Sequence, residues 1–162
     1  MSQLIHSPRP AARAIDVLVI GAGHAGLAIS RILATRGVEH VVLERGEVAN
    51  SWRHERWDSL KLLTPNWQTR LPGFVYDGDD PDGFMSVAEL IDVLGEYARA
   101  TNAPIITETE VTSVRREGDG YLVFTNRGTW NARAVVLATG ACNAPSVPKV
   151  ADDVPADITQ LT

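Results

Sequence analysis

Residues 15–26 read I-D-V-L-V-I-G-A-G-H-A-G, and this stretch decides the fold. Its first half is largely apolar, as in a buried strand, and Gly21, Gly23 and Gly26 follow in the spacing G-x-G-x-x-G. In this pattern the first glycine permits a sharp turn, the second lets backbone approach a pyrophosphate, and the third lets the next helix pack against the strand. The stretch therefore predicts a strand, a tight turn and a helix whose positive N-terminal end faces an anion. The turn is completed by Ala22, His24 and Ala25.

An acidic residue stands at the distance that this kind of turn requires. A second apolar run, residues 41–43, ends at Glu44, about 20 residues beyond the glycine turn, where an acid accepts hydrogen bonds from a ribose hydroxyl. A carboxylate at that position repels a 2'-phosphate, so the pattern favours FAD or NAD over NADP. The alternative is a tight strand-to-helix turn that binds nothing.

Composition excludes several classes of protein. The chain has 162 residues, of which 44% are hydrophobic and 22% charged, as expected for one globular domain. A net charge of -5 argues against a nucleic-acid partner. No signal peptide and no membrane span of roughly 18 apolar residues is evident, so we expect a cytoplasmic protein with a flexible leader at residues 1–14. The single cysteine, Cys142, excludes a disulfide framework and a C-x-x-C redox pair, and no metal-ligand spacing or catalytic triad stands out.

The rest of the chain alternates between helical and extended patterns. Apolar residues at helical spacing after the turn stop at Arg36-Gly37, a typical helix end. Ser86 and Glu89 form a capping-box pattern before a second helix that ends near Ala100. Short strands are predicted at 40–44 and 104–106. Between them, residues 47–82 show no sustained period and are expected to form an irregular binding surface rich in aromatic residues: Trp52, Trp57, Trp67 and Tyr76.

The C-terminal half begins with alternating apolar and polar residues. Three short strands, at 111–116, 121–125 and 129–133, are separated by turn sequences and predict a small antiparallel meander. A separate buried strand at 134–137 is then expected to deliver A-T-G, residues 138–140, to the edge of the sheet that carries the glycine turn. The order of elements predicts an α/β fold with a parallel sheet and a small antiparallel meander.

The order of glycine turn, acid, aromatic segment, meander and A-T-G resembles the FAD domain of flavoproteins that contain two dinucleotide-binding folds. Within them, S-W-R at 51–53 and R-W-D-S-L-K-L-L-T-P-N-W at 56–67 resemble the flavin-dependent monooxygenase group. That group includes flavin-containing monooxygenases, Baeyer-Villiger monooxygenases, bacterial N-hydroxylases and plant indole-pyruvate monooxygenases. The resemblance covers residues 16–148 and implies a Rossmann-like FAD-binding domain.

The resemblance also implies roles for individual residues. The glycine turn would face the FAD pyrophosphate, Glu44 the adenosine ribose, and Arg45 the adenine side or a nearby phosphate. The backbone of Val111 would meet the adenine. The flavin side would be formed by Trp52 and Arg53, and the sheet edge beside the cofactor by Ala138, Thr139 and Gly140. No residue of the chain is expected to be catalytic, because NADPH reduces FAD in such enzymes and a flavin C4a-hydroperoxide oxygenates a small organic substrate.

The chain also departs from this group. After the A-T-G strand such enzymes carry a second glycine-rich fold for NADPH and then a G-D motif that contacts the flavin, and the sequence contains neither. We therefore expect a truncated FAD-binding domain at 15–148, a linker at 149–162 toward a missing NADPH-binding domain, and no activity from the chain alone. The alternatives are a non-catalytic nucleotide-binding or interaction module, a remnant of truncation, and, disfavoured by the meander, an NAD-dependent enzyme. The oligomeric state and the substrate stay open.

Overall fold

The computed structural model describes residues 12–140 and 146–160. The main strands are β1 (Arg13–Ile20), β2 (His40–Leu43), β5 (Ile105–Ile106), β6 (Val111–Glu117), β7 (Gly120–Thr125) and β8 (Gly128–Leu137), and a small hairpin is formed by β3 (Arg70–Leu71) and β4 (Phe74–Val75). The helices are α1 (His24–Thr35), α2 (Asn50–His54) and α3 (Val87–Ala100), with short 3-10 helices at Asn66–Gln68 and Lys149–Asp153. Cys142 and residues 1–11 of the predicted leader lie outside the described residues.

One six-stranded sheet in the order β5-β2-β1-β8-β7-β6 carries the fold. The strands β5, β2, β1 and β8 run parallel, whereas β7 runs antiparallel to both of its neighbours, β8 and β6. The α/β fold with a parallel sheet and an antiparallel meander is therefore confirmed. The meander is not a separate layer, because its last strand is also a strand of the parallel sheet.

The expectation of two strands, at 129–133 and 134–137, was wrong. Both belong to β8, whose pairing with β7 ends at Ala132 and whose pairing with β1 continues to Leu137. The β7 pairing ends at Ala132 while β1 stays paired, which explains why one strand shows two sequence patterns. The second half of β8 is also less buried than expected: Leu137 is 71% exposed at the carboxyl end of the strand.

Strand β1 begins within the predicted leader. Arg13 and Ala14 pair with Trp130 and Asn131 of β8, and the Arg13 guanidinium lies 5.3 Å from the centre of the Trp130 ring. Pairing with the long strand β8 thus extends β1 beyond the apolar run that marked it in the sequence.

The two predicted helix boundaries are confirmed. Helix α1 ends before Arg36, and Gly37 adopts a φ of 66°, the left-handed conformation that favours glycine. At the start of α3, Glu89 N donates to Ser86 Oγ at 3.3 Å and Ser86 N donates to Glu89 Oε2 at 2.7 Å, which completes a capping box. Both helices bury apolar residues in one core cluster: Leu27, Leu90, Leu94, Tyr97 and Ala98.

The segment 47–82 is more ordered than its sequence indicated. It contains α2, a 3-10 helix and the β3-β4 hairpin, and its later part is held against the chain before α3. Leu62 N donates to Met85 O at 2.8 Å, and Asn66 N donates to Gly83 O at 2.9 Å. Backbone pairing of this kind leaves no periodic pattern of side chains, so the sequence did not reveal it. Across the described residues, no helix has the length and apolar character to cross a membrane.

Candidate cofactor-binding cleft

The glycine turn has the close packing that its sequence predicted. Gly21 has a φ of 106°, and a Cβ atom there would lie 2.5 Å from Ala138 O. A Cβ atom at Gly26 would lie 1.8 Å from Gly21 O, so helix α1 can approach the turn only because this residue is glycine. Gly23 differs, since a Cβ atom there would meet nothing within 4 Å. Two glycines therefore serve packing, and the third faces open space.

The N-terminus of α1 opens toward that space. Gly23 is its N-cap residue and no side chain caps it; the first bond of the helix runs from Leu27 N to Gly23 O at 3.0 Å. The amides that precede Leu27 in the first turn have no carbonyl one turn earlier to accept from them, and the helix dipole adds positive potential. Both His24 and Ala25 are exposed here. The arrangement suits an anionic group.

Glu44 lies beside the turn and is only 6% exposed. Its Oε2 atom accepts a hydrogen bond from Ala22 N at 2.7 Å, and its Oε1 atom accepts one from Gly46 N at 3.0 Å. Two backbone amides thus fix the carboxylate in place. The sequence pattern predicted a ribose contact, but it did not reveal that Glu44 also ties strand β2 to the glycine turn.

These elements enclose a cleft of about 340 Å³ at the carboxyl ends of β1, β2 and β8. It brings together most of the predicted cofactor residues: Gly21, Gly23, His24, Ala25, Glu44, Arg45, Trp52, Ala138, Thr139 and Gly140. A neighbouring cavity of about 210 Å³ shares Glu44 and Arg45 and is also lined by Thr109, Glu110 and Val111. Val111 therefore lines a cavity beside the main cleft.

Three predicted residues do not line either cavity. Ala22 and Gly26 are buried behind the turn, where they hold its shape. Arg53 lies outside the cleft, and its Nε atom donates to Val48 O at 3.0 Å. The cleft is lined instead by residues that sequence reasoning missed: Asn50, Ser51, Arg56 and Leu137. Arg56 stands in the R-W-D motif of the sequence, which was the available signal for it.

The charged side chains of the cleft near α2 have defined partners. Arg45 forms an ion pair with Glu55, whose side chain is 29% exposed. Arg56 lies over the ring of Trp52 at 5.4 Å from its centre and donates to Glu55 O at 2.9 Å. No group of three or more metal-ligating side chains occurs within residues 12–140 and 146–160. The described cleft therefore offers backbone amides, one fixed carboxylate and two arginines.

Solved structures with the same fold include several flavoproteins. A flavin-containing monooxygenase from Stenotrophomonas maltophilia is 30% identical, with a TM-score of 0.74, over 85% of this chain and 42% of that chain. A structure of OTEMO in complex with FAD and NADP matches with a TM-score of 0.70 over 86% of this chain and 28% of that chain; at 22% identity it shows the fold alone. The resemblance to flavin monooxygenases is thus confirmed.

The sequence itself matches curated relatives and a family model. An uncharacterized CzcO-like oxidoreductase of Geobacillus kaustophilus is 37% identical over 148 residues, which are 91% of this chain and 42% of that protein. The chain thus spans about two fifths of the length of that relative. The family model for pyridine nucleotide-disulphide oxidoreductases matches residues 18–156. The chain therefore belongs to the pyridine nucleotide-disulphide oxidoreductase family.

Proposed function

We propose that the chain is the FAD-binding portion of an NAD(P)H-dependent flavoprotein oxidoreductase of the monooxygenase type. The observation that carries this proposal is the fixed carboxylate of Glu44 beside an uncapped helix N-terminus, in a cleft that A-T-G closes on the other side. An acid that lies beside an anion site suits the ribose and the pyrophosphate of a dinucleotide.

The residues of the cleft fit FAD at each part of the molecule. The open space beside Gly23 would admit the pyrophosphate to the amides at the start of α1. Glu44, held by two amides, keeps lone pairs for ribose hydroxyls. The neighbouring cavity at Val111 would take the adenine, and Trp52 with residues 138–140 would flank the part of the cleft that extends toward the flavin.

When bound, FAD would supply the redox chemistry, so the chain need not contribute a nucleophile or a metal. The work of its residues would be to bind the cofactor, to orient it and to keep water from one of its faces. NADPH as reductant and a small organic substrate belong to the proposal for a whole protein, because the chain spans 42% of the Geobacillus relative.

The nucleotide preference gives a direct test on the 162-residue chain. We expect saturable quenching of FAD fluorescence on titration with the protein, and a visible flavin absorbance spectrum that stays with the protein through gel filtration. NADP should bind in the same cleft at least about tenfold more weakly than FAD, since the Glu44 carboxylate repels a 2'-phosphate. A chain that binds neither FAD nor ADP, or one that prefers NADP, would contradict the proposal.

A further inference from the structure

Two arginines line the cleft in the described part of the chain, and they are not equivalent. Arg45 is paired with the Glu55 carboxylate, which offsets its charge, and its side chain is 49% exposed. A pyrophosphate that entered the cleft would also meet the negative charge of Glu44. A cation that is not already neutralised would therefore strengthen binding of the ligand.

Arg56 has the properties of that cation. Within residues 12–140 and 146–160, no carboxylate lies in ion-pair distance of its guanidinium, whereas Arg45, Arg53, Arg127 and Arg133 all have acidic partners. One of its nitrogens donates to the Glu55 carbonyl at 2.9 Å, and several N–H donors of the group are left for another acceptor.

The position of Arg56 is also fixed before a ligand arrives. Its guanidinium lies 5.4 Å from the centre of the Trp52 ring, and Trp52 packs against the core formed by α1 and α3. A planar guanidinium stacked on an anchored indole loses little side-chain freedom when it binds an anion. Glu55 contributes twice, since its carboxylate engages Arg45 while its carbonyl holds Arg56.

We infer that Arg56 binds the dinucleotide pyrophosphate from the wall opposite the glycine turn, so that the phosphates lie between its guanidinium and the amides of α1. The inference rests on the proposed function and adds a binding residue to it. The sequence resemblance had placed Arg53 on the flavin side and had given Arg56 no role; Arg56 lines the cleft, whereas Arg53 lies outside it.

The test measures binding of FAD, ADP and adenosine to the full 162-residue chain by calorimetry. ADP carries the pyrophosphate without the flavin, and adenosine carries neither phosphate. We expect Arg56→Gln to weaken FAD and ADP by roughly 10- to 100-fold, the loss of one or two hydrogen bonds to a charged group, and to leave adenosine unchanged. The affinity of Arg56→Lys for FAD and ADP should fall between that of the parent chain and that of Arg56→Gln, because lysine keeps the charge and loses the planar guanidinium.

Arg70→Gln is the matched control. Arg70 lies over Trp67 at 5.8 Å and donates to a backbone carbonyl, as Arg56 does, but outside the cleft. This variant should bind all three ligands as the parent chain does, and the thermal midpoint of each variant shows whether it is folded.

The failure of the proposed function and the failure of the role of Arg56 give different results. Equal FAD and ADP affinity in Arg56→Gln and the parent chain would overturn the role of Arg56 and leave the proposed function standing. Binding of ADP but not FAD by the parent chain, with Arg56→Gln weaker for ADP, would overturn the FAD assignment and support Arg56. A parent chain that binds none of the three ligands overturns both, and a loss that extends equally to adenosine overturns the phosphate contact.

Discussion

At the scale of single residues, the glycines of the turn allow packing and binding to be separated. A methyl group at Gly23 meets no atom within 4 Å, whereas one at Gly26 would lie 1.8 Å from Gly21 O. Gly23→Ala should therefore leave the thermal midpoint nearly unchanged and weaken FAD by about tenfold or more, because the methyl occupies the pyrophosphate space. Gly26→Ala should lower the free energy of unfolding by about 1–3 kcal/mol or more.

Urea unfolding and FAD titration of the two variants, measured side by side, check this expectation. Similar effects of both substitutions on stability would show that the helix can move away from the turn at little cost. Unchanged FAD affinity in Gly23→Ala would mean that the phosphates lie elsewhere.

Glu44 is expected to stabilise the fold even without a cofactor. In Glu44→Ala the amides of Ala22 and Gly46 lose their acceptor, and we expect the free energy of unfolding to fall by about 2–3 kcal/mol. Glu47→Ala is the control: its side chain is 66% exposed and its carboxylate lies 3.9 Å from Arg53 Nε, so the change should be within about 0.5 kcal/mol. Urea denaturation of the free proteins measures both, and equal losses would contradict a special role for Glu44.

The residues of the cleft were predictable from sequence only where spacing fixes geometry. The glycines and Glu44 were found because their separation follows from a strand, a turn and a helix of standard size. Arg56 was missed although Arg53 was named, since α2 is a single short helix that ends at His54 and no periodic pattern marks which residues beyond it face the cleft. The choice between two nearby arginines depends on backbone that only tertiary packing determines.

At the scale of elements, the capping box of α3 predicts how stability depends on acid. Hydrogen bonds from the Ser86 backbone amide and hydroxyl hold the pKa of Glu89 below its usual value of 4.5. A carboxyl group with a lowered folded-state pKa stabilises the fold above its unfolded-state pKa, and this contribution is lost as the pH falls through the folded-state value. The capping box should therefore weaken below about pH 4.5.

Ser86→Ala removes the N-cap side chain and should destabilise the chain by about 1 kcal/mol at pH 7. The difference from the parent chain should shrink as the pH falls through the lowered folded-state pKa of Glu89. Ser59→Ala, an exposed serine in the turn that follows α2, serves as control and should have little effect. Thermal unfolding at several pH values measures the difference, and a constant gap across the pH range would show that Glu89 takes no part in the cap.

Helix ends were predicted correctly because they depend on local chemistry, such as the capping box and Gly37. Strand β8 was not predicted as one strand, because its sequence pattern changes along its length. Residues alternate where β8 pairs with β7 and are apolar where only β1 lies beside it. The β3-β4 hairpin was missed for a similar reason, since two-residue strands are too short to show a period.

For the whole molecule, topology places the cleft without help from individual side chains. Strands β1, β2 and β8 run parallel, so their carboxyl ends meet at one edge, and the loops that leave this edge carry the glycine turn, Glu44 and A-T-G. A crevice at this edge is the usual ligand site of such sheets. The sequence could predict that edge because it depends only on the order of elements along the chain.

The continuity of β8 has a consequence for cooperativity. Its ten residues pair with β7 on one side and with the glycine-turn strand β1 on the other, so unfolding of β8 breaks both sets of hydrogen bonds. The two parts should behave as a single unit in native-state hydrogen exchange, and a ligand bound at residues 138–140 should slow exchange at amides of β7 that it never touches. Exchange rates in β7 that stay the same with and without FAD, under conditions where β1 becomes more protected, would show that the sheet opens in two independent halves.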